Sequence, residues 1–261
     1  MVDAPAGANI VGSKWVFRAK KDAAGNIVRY KACLVAQGFS QVLGVDYFDT
    51  FAPVAHLASI RAVLEMAAVK DYEIHQIDIK GAYLNGKLTS EETIFMKQPP
   101  GYAAAGLEMK VCHLLKTLYG LKQSRQRWYQ YLVKIMKLLG ILQCEVDQAM
   151  FYRRKGTDLV IVLVHVDDCT IVVTSKLLID GFKKAIAKQV EISNLRELHW
   201  ILGIEVRCER ENKRILFSQR AYLDSILHCY RLDKLKPVSL PMETSIWLTS
   251  AQSPSTTEEI A

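Results

Sequence analysis

No apolar run in this 261-residue chain approaches the roughly 18 residues that cross a bilayer, which excludes a transmembrane helix. The first residues, MVDAPAGANIVGSKW, lack the cationic start and apolar core of a secretory signal. Cysteine is sparse and scattered: Cys33, Cys112, Cys144, Cys169, Cys208 and Cys229 form no CxxC or zinc-type spacing, and the six histidines are as dispersed. A reducing, intracellular setting is the simplest reading. Internal repeats are also missing. What remains is ordinary globular material: 50% of residues are hydrophobic and 23% charged, enough for a sizeable core and too few charges for global disorder. At about 150 residues per domain the length suits one large domain or two small ones.

Charge is unevenly placed. The net value is +7, and residues 110–155 carry 10 basic against 2 acidic side chains. A polyanionic partner explains such a segment, and so does a solvated helix face.

Residues 14–39 read as a hairpin, with turn formers at 22–26 between KWVFRAK and IVRYKACLVA. Residues 57–69 have helical apolar spacing, and YEIHQIDI alternates as a strand ending near Lys80-Gly81. Thr93–Met96 is a short strand-like piece in a turn-rich stretch. Residues 124–139 read as an amphipathic helix capped by Ser124 and ended by Gly140, with Trp128, Leu132, Ile135, Met136 and Leu139 on its apolar face. LVIVLVHV and CTIVVT flank Asp167-Asp168, a tight hairpin with two carboxylates as its connection. A helix is expected over 175–190, a second hairpin from HWILGIEV and RILFSQ, a short helix over 221–232, and a polar tail from 246. Hairpins with inserted helices, without regular βαβ alternation, point to an α+β fold with an antiparallel sheet.

Asp is a good turn former, so the pair at the hairpin tip is half explained by local geometry. Two adjacent carboxylates nevertheless repel unless cations neutralise them, and hard divalent cations take carboxylate oxygens. Asp78 lies at the end of another half-buried strand. If the strands are neighbours, three carboxylates meet, and two metal ions about 4 Å apart could bridge the attacking and leaving oxygens of phosphoryl or nucleotidyl transfer. The plainer reading of Asp78 is a lone surface carboxylate.

The blocks KWVFRAKKDAAGNIVRYKACLVAQGF, DYFDTFAPVAHLASIR, QIDIKGAYLNG, VCHLLKTLYGLKQS, HVDD and LGIEV occur in an order that closely resembles the reverse transcriptase of copia-type LTR retrotransposons, over about residues 11–245. The resemblance implies a right-hand polymerase, truncated at both ends: fingers at about 1–70 and 85–125, palm at 71–84 and 126–206, the start of a thumb at 207–245, and a linker at 246–261. It implies RNA-directed DNA polymerisation with dNTPs on an RNA or DNA template-primer, with two Mg²⁺ ions (or Mn²⁺) held by Asp78, Asp167 and Asp168. It further implies Tyr83 as a steric gate against ribose, Tyr119 and Gly120 in the loop beneath the incoming nucleotide, and Lys31 at the triphosphate. Lys122, Arg125 and Arg127, with Lys134 and Lys137, would face template–primer phosphates. Trp200 and Gly203 would lie in a primer-grip hairpin. The plainer readings are a core aromatic for Tyr83, a helix start for Tyr119-Gly120, an exposed lysine for Lys31 and core packing for Trp200. The rest of a Pol polyprotein is the implied partner, homodimerisation stays open, no membrane is involved, and the setting is the cytoplasm or virus-like particles.

The chain departs from the family at Cys33 and His56, where arginine is usual, and at His165, where tyrosine is. A thiol cannot replace a guanidinium fork. The ends read as those of a polyprotein fragment. Two alternatives stand: a silent remnant that folds and binds nucleic acid, and a two-metal nuclease.

Overall fold

Alternation and burial decide the centre of the molecule. The computed structural model describes residues 1–21, 26–232, 234–236, 247, 249 and 252–254. In chain order its elements begin with β1 (Ile10–Val11), β2 (Ser13–Lys21), β3 (Ile27–Ala36), α1 (Leu57–Lys70) and β4 (Glu73–Ile79). Next come β5 (Phe95–Met96), β6 (Cys112–His113), α2 (Ser124–Leu138), β7 (Leu142–Gln143), β8 (Met150–Lys155) and β9 (Asp158–His165). The remainder are β10 (Asp168–Val173), α3 (Lys176–Ala187), β11 (Ile192–Glu197), β12 (Trp200–Ile201), β13 (Ile204–Glu209), β14 (Arg214–Ser218) and α4 (Arg220–Cys229).

The main sheet has the order β11-β4-β10-β9-β8-β7, antiparallel throughout. Its central strands are apolar on both faces because both faces are covered. Ile77, Ile79, Val162, Val164, Ile171 and Val173 pack beneath Trp128, Leu132 and Met136 of α2 and Ile179, Phe182 and Ile186 of α3. On the opposite face Ile74, Leu163 and Val172 meet Ile60, Leu64 and Ala67 of α1, and Ile201 and Val206 of the small β12-β13-β14 sheet. Each fully buried aliphatic side chain contributes roughly 1.5–3 kcal/mol. The fold is thus mixed α/β with antiparallel sheets, as expected, apart from one parallel pair, β1 with β5.

Several local expectations are corrected. Ser124 does not cap α2; it is the first helical residue, and its hydroxyl donates to the Leu118 carbonyl at 2.6 Å. Gly140 does end that helix, in the left-handed conformation at φ 68°. HWILGIEV is not one strand: Leu202 and Gly203, both at positive φ, turn the chain between β12 and β13. The two-residue connection between β9 and β10 is Val166-Asp167, and Asp168 already belongs to the ladder, opposite His165. β8 and β11 went unpredicted. Of the turn expected at 22–26 only Asn26 lies among the described residues, and most of the expected tail lies outside them.

Among the described residues no helix is long and apolar enough to cross a membrane. All six cysteines are free thiols.

Candidate functional site

Sheet register brings the carboxylates together. Asp78 of β4 is paired directly with Asp168 of β10, Ser193 flanks Asp78 on β11, and His165 flanks Asp168 on β9. The four residues form one row across the sheet, on the face that also carries Gln76 and Thr170. Asp167 sits beside the row on the turn, where its carbonyl accepts from the Ile79 amide at 2.9 Å. The turn is strained: Val166 is β-branched and has φ 62°, a conformation that costs on the order of 1–3 kcal/mol. Two things hold it there, the β9–β10 pairing and the Trp128 indole, whose Nε1 donates to the Val166 carbonyl at 2.7 Å.

Burial raises the pKa of Asp78, and the nearby Asp167 charge raises it further, against Lys20, Lys31 and Lys80. Asp168 is raised by burial and then by Asp167 and Asp78; His165 and a hydrogen bond from Gln76 oppose this. This is an oxygen-only donor set in which neighbouring carboxylates disfavour the charged forms of Asp78 and Asp168, which is the chemistry that a hard divalent cation relieves. As the side chains stand, no three acidic, imidazole or thiol groups among the described residues are gathered closely enough to hold an ion. Asp168 Oδ1 instead accepts from Gln76 Nε2 at 3.3 Å. The residue types and backbone placement fit a divalent metal; ligation requires the carboxylates to turn inward.

Above the row stands the β2–β3 hairpin. Ala36, at the end of β3, donates its amide to the Tyr119 carbonyl at 2.7 Å. Gly120 has φ 93°, and a Cβ there would lie 2.1 Å from the Ala36 carbonyl oxygen, so only glycine lets the loop seat the hairpin. Tyr83 lies in the 3₁₀ turn after β4, and its ring meets that of Tyr119 edge-on at 5.1 Å. Burial raises the Tyr83 hydroxyl; Arg125 counters this and Asp167 adds to it, so both charges are felt at the phenol. Burial likewise raises the Tyr119 hydroxyl, followed by Asp167, Cys33, Tyr83 and Asp78.

Cross-strand pairing puts Lys31 opposite Arg18, Arg29 opposite Lys20 and Cys33 opposite Val16, all on one hairpin face. Lys20 and Lys31 are both felt at Asp78. Arg18 and Lys20 were missed in the sequence. Their signal was the alternation of the strand, but it needs the register, which the chain pattern alone leaves free.

Lys122 is exposed and Arg125 half-buried, as are Lys31 and Tyr83 respectively. Arg127 is not free for a phosphate: its Nε pairs at 2.7 Å with the buried Glu92 carboxylate, and its Nη1 donates to Gln130. Lys134 and Lys137 are exposed. Trp200, Gly203, Gln76, His165 and Asp168 line one groove of about 510 Å³, so the β12–β13 turn is next to the carboxylate row. His56, one of the departures, precedes α1 and donates its amide to the buried Asp147 carboxylate at 3.0 Å.

A family model described as reverse transcriptase (RNA-dependent DNA polymerase) matches residues 1–244. The chain belongs to the reverse transcriptase family. It is 38% identical over 260 residues to the retrovirus-related Pol polyprotein from transposon TNT 1-94 of Nicotiana tabacum, covering 99% of this chain and 19% of that protein. To the Pol polyproteins from transposons RE2 and RE1 of Arabidopsis thaliana it is 36% identical, over 94% and 92% of this chain and 17% and 16% of theirs. The chain therefore spans less than a fifth of each of these three relatives, and the resemblance to copia-type elements holds. A solved apo telomerase from Candida tropicalis aligns over 83% of this chain and 56% of its own, at TM-score 0.36 and 10% identity, too loosely to support a shared fold by itself. In this reverse transcriptase domain the carboxylate row shares a groove with the β12–β13 turn, and the hairpin cations Lys20 and Lys31 act on Asp78.

Proposed function

We propose that this domain adds deoxynucleotides to a primer 3′-hydroxyl on an RNA or DNA template, as the polymerising part of a retrotransposon Pol polyprotein. One observation carries the reading: Asp78 and Asp168 oppose each other on the central strands, with Asp167 on the adjoining turn. Asp78, Asp167 and Asp168 would hold two Mg²⁺ ions, or Mn²⁺, which when bound lower the pKa of the primer hydroxyl and neutralise the triphosphate.

The chain's own residues do the rest. Lys31, Lys20 and Arg18 bind the triphosphate from above, and the two added cations offset the thiol at Cys33. Tyr83, braced by Tyr119, closes the space beside the sugar and selects deoxyribose. Gly120 keeps the hairpin seated over the reacting groups. Lys122 and Arg125 bind template phosphates without reading sequence. Trp200 and Gly203 position the primer end along the groove beside Asp168. In this reading residues 1–70 and 85–125 are fingers, 71–84 and 126–206 palm, and 207–245 the start of a thumb. A polymerase that copies any sequence needs such sequence-independent contacts.

A second reading, a silent remnant that still binds nucleic acid, is favoured by Cys33, a thiol that cannot replace the guanidinium fork usual at that position. Primer extension on an RNA template with Mg²⁺ or Mn²⁺, beside Asp167→Asn, separates the two. Extension lost in the variant establishes the polymerase. No extension by the folded protein with either metal sinks the polymerase reading for this chain and favours the remnant.

A further inference from the structure

One ladder step past the carboxylates, the sheet ends in a pair of opposite charges. Asp78 is paired with Ser193 and Ile79 with Ile192 across β4 and β11. Lys80 carries the ladder one residue further, where its amide donates to the Glu191 carbonyl at 2.9 Å. Alternation along the strand returns Lys80 and Glu191 to the face that bears Asp78. Their side chains meet, with Lys80 Nζ 2.6 Å from Glu191 Oε1. Two strand residues span about 7 Å, so the four-carbon stem is long enough to reach back to the carboxylate row. The ammonium charge is felt at Asp78 beside those of Lys20 and Lys31. In the other direction Gly81, at φ 57°, leads the chain into the 3₁₀ turn that holds Tyr83. Lys80 thus stands between Asp78 and Tyr83.

This pair is ill suited to holding the fold. Its side chains are 51% and 73% exposed, and an ion pair in that setting adds little to stability. Neither partner has a second tie among the described residues: Glu191 is the one acceptor for Lys80 Nζ, and Lys80 the one donor to the Glu191 carboxylate. Arg127 differs, since the carboxylate that holds it is fully buried. A lysine presents its charge as a point on a flexible stem and exchanges acceptors readily. A triphosphate offers it more oxygens and more charge than one carboxylate does. While no anion is bound, Glu191 keeps this end of the sheet neutral.

We propose that Lys80 is a further ligand of the incoming nucleotide's triphosphate, and that Glu191 competes for it, holding the ammonium until the phosphates displace the carboxylate. The proposal rests on the polymerase reading, yet its test needs no turnover. A primer–template ending in a dideoxynucleotide is bound to the full chain with Mg²⁺. A fluorescent dNTP complementary to the next template base is then titrated in and followed by anisotropy. Removing the two partners should act in opposite directions. Lys80→Ala should weaken the dNTP about tenfold, whereas Glu191→Gln should tighten it about threefold. The double variant should match Lys80→Ala, because the carboxylate acts through the lysine. Lys80→Arg, which keeps the charge, should stay within about threefold of the wild type. Affinity for the primer–template itself should hold within about twofold throughout, since a lost strand-phosphate contact would show there. Equal weakening by Lys80→Ala and Glu191→Gln overturns the proposal, because a structural brace fails from either side. Wild-type dNTP affinity in either variant overturns it, as does a loss confined to primer–template binding. A wild-type chain that binds no dNTP sinks this assignment and the polymerase reading together. Lys80-dependent dNTP binding by a chain that never extends a primer sinks only the polymerase reading.

Discussion

The main sheet and the β2–β3 hairpin are built on opposite principles. The sheet is covered on both faces by helices and a small sheet, and it carries its carboxylates at the ends of β4 and β10, whose isoleucines and valines are buried. The hairpin is two-stranded, exposes Phe17 and Tyr30 on one face, and on the other sets Arg18 against Lys31 and Lys20 against Arg29. Like charges directly opposite are destabilising, and an isolated two-stranded hairpin is marginal. The sheet is complete without a ligand, whereas the hairpin tolerates charge repulsion that an anion would relieve. Position is thus supplied by one region and charge by the other.

The comparison is broken most severely by removing the charge that the rigid region carries. Asp168→Asn should lower metal-dependent extension by at least about 1000-fold, roughly 4 kcal/mol at the transition state, while the thermal midpoint holds or rises because a like-charge contact is gone. Extension near the wild-type rate would remove Asp168 from the reaction.

Next in size is the joint between the regions. Gly120→Ala drives a Cβ into the Ala36 carbonyl at a left-handed φ, and should cost about 2–3 kcal/mol by urea unfolding. Protease cleavage should rise first in the hairpin. Uniform loss across the chain would mean that the loop serves the whole core instead.

A smaller effect tests the hairpin alone. Lys20→Ala should stabilise the free protein by a few tenths of a kcal/mol, yet weaken nucleotide or template binding and flatten its salt dependence by about one phosphate contact. A variant that gains stability and binds equally well would leave Lys31 without its neighbour's help.

The smallest effect concerns pH beneath the sheet. Lys183 of α3 is buried with Nζ 2.6 Å from His75 Nδ1 and 2.8 Å from Asn194 Oδ1. Burial, then the Lys183 charge, lowers the His75 pKa below its usual 6.5. The unfolded chain therefore binds the proton first, and stability should fall as pH drops from about 6.5 toward the folded value. His75→Gln should flatten that slope in pH-dependent melting curves, and an unchanged slope would assign it to other groups.

Much of this was legible in the sequence. The hairpin, α1, β4, the apolar face of α2 and the pair of strands around the aspartates all follow from spacing, because each buries a regular stripe. β11 did not, since ISNLRE alternates poorly and carries a bulge between Asn194 and Arg196. β8 did not either, because MFYRRK ends in three cations near the edge of the sheet. Among site residues Asp78 was visible only as a candidate, for register alone joins it to Asp168. Arg127 looked like its neighbours in charge, and what sets it apart is Glu92, 35 residues away. The structural duty of Gly120 required the Ala36 carbonyl, which no local pattern reveals.

The indole of Trp128 has a mechanical consequence. Through its bond to the Val166 carbonyl, the turn bearing Asp167 loses its independent coordinate and travels with α2. The same helix begins at Ser124, one residue before Arg125. A load applied at Arg125 is therefore delivered, one helical turn later, to the hinge of the carboxylate turn. The lever is short, and the indole bond is its bearing. Phenylalanine in place of Trp128 would keep most of the lever's bulk and remove that bearing.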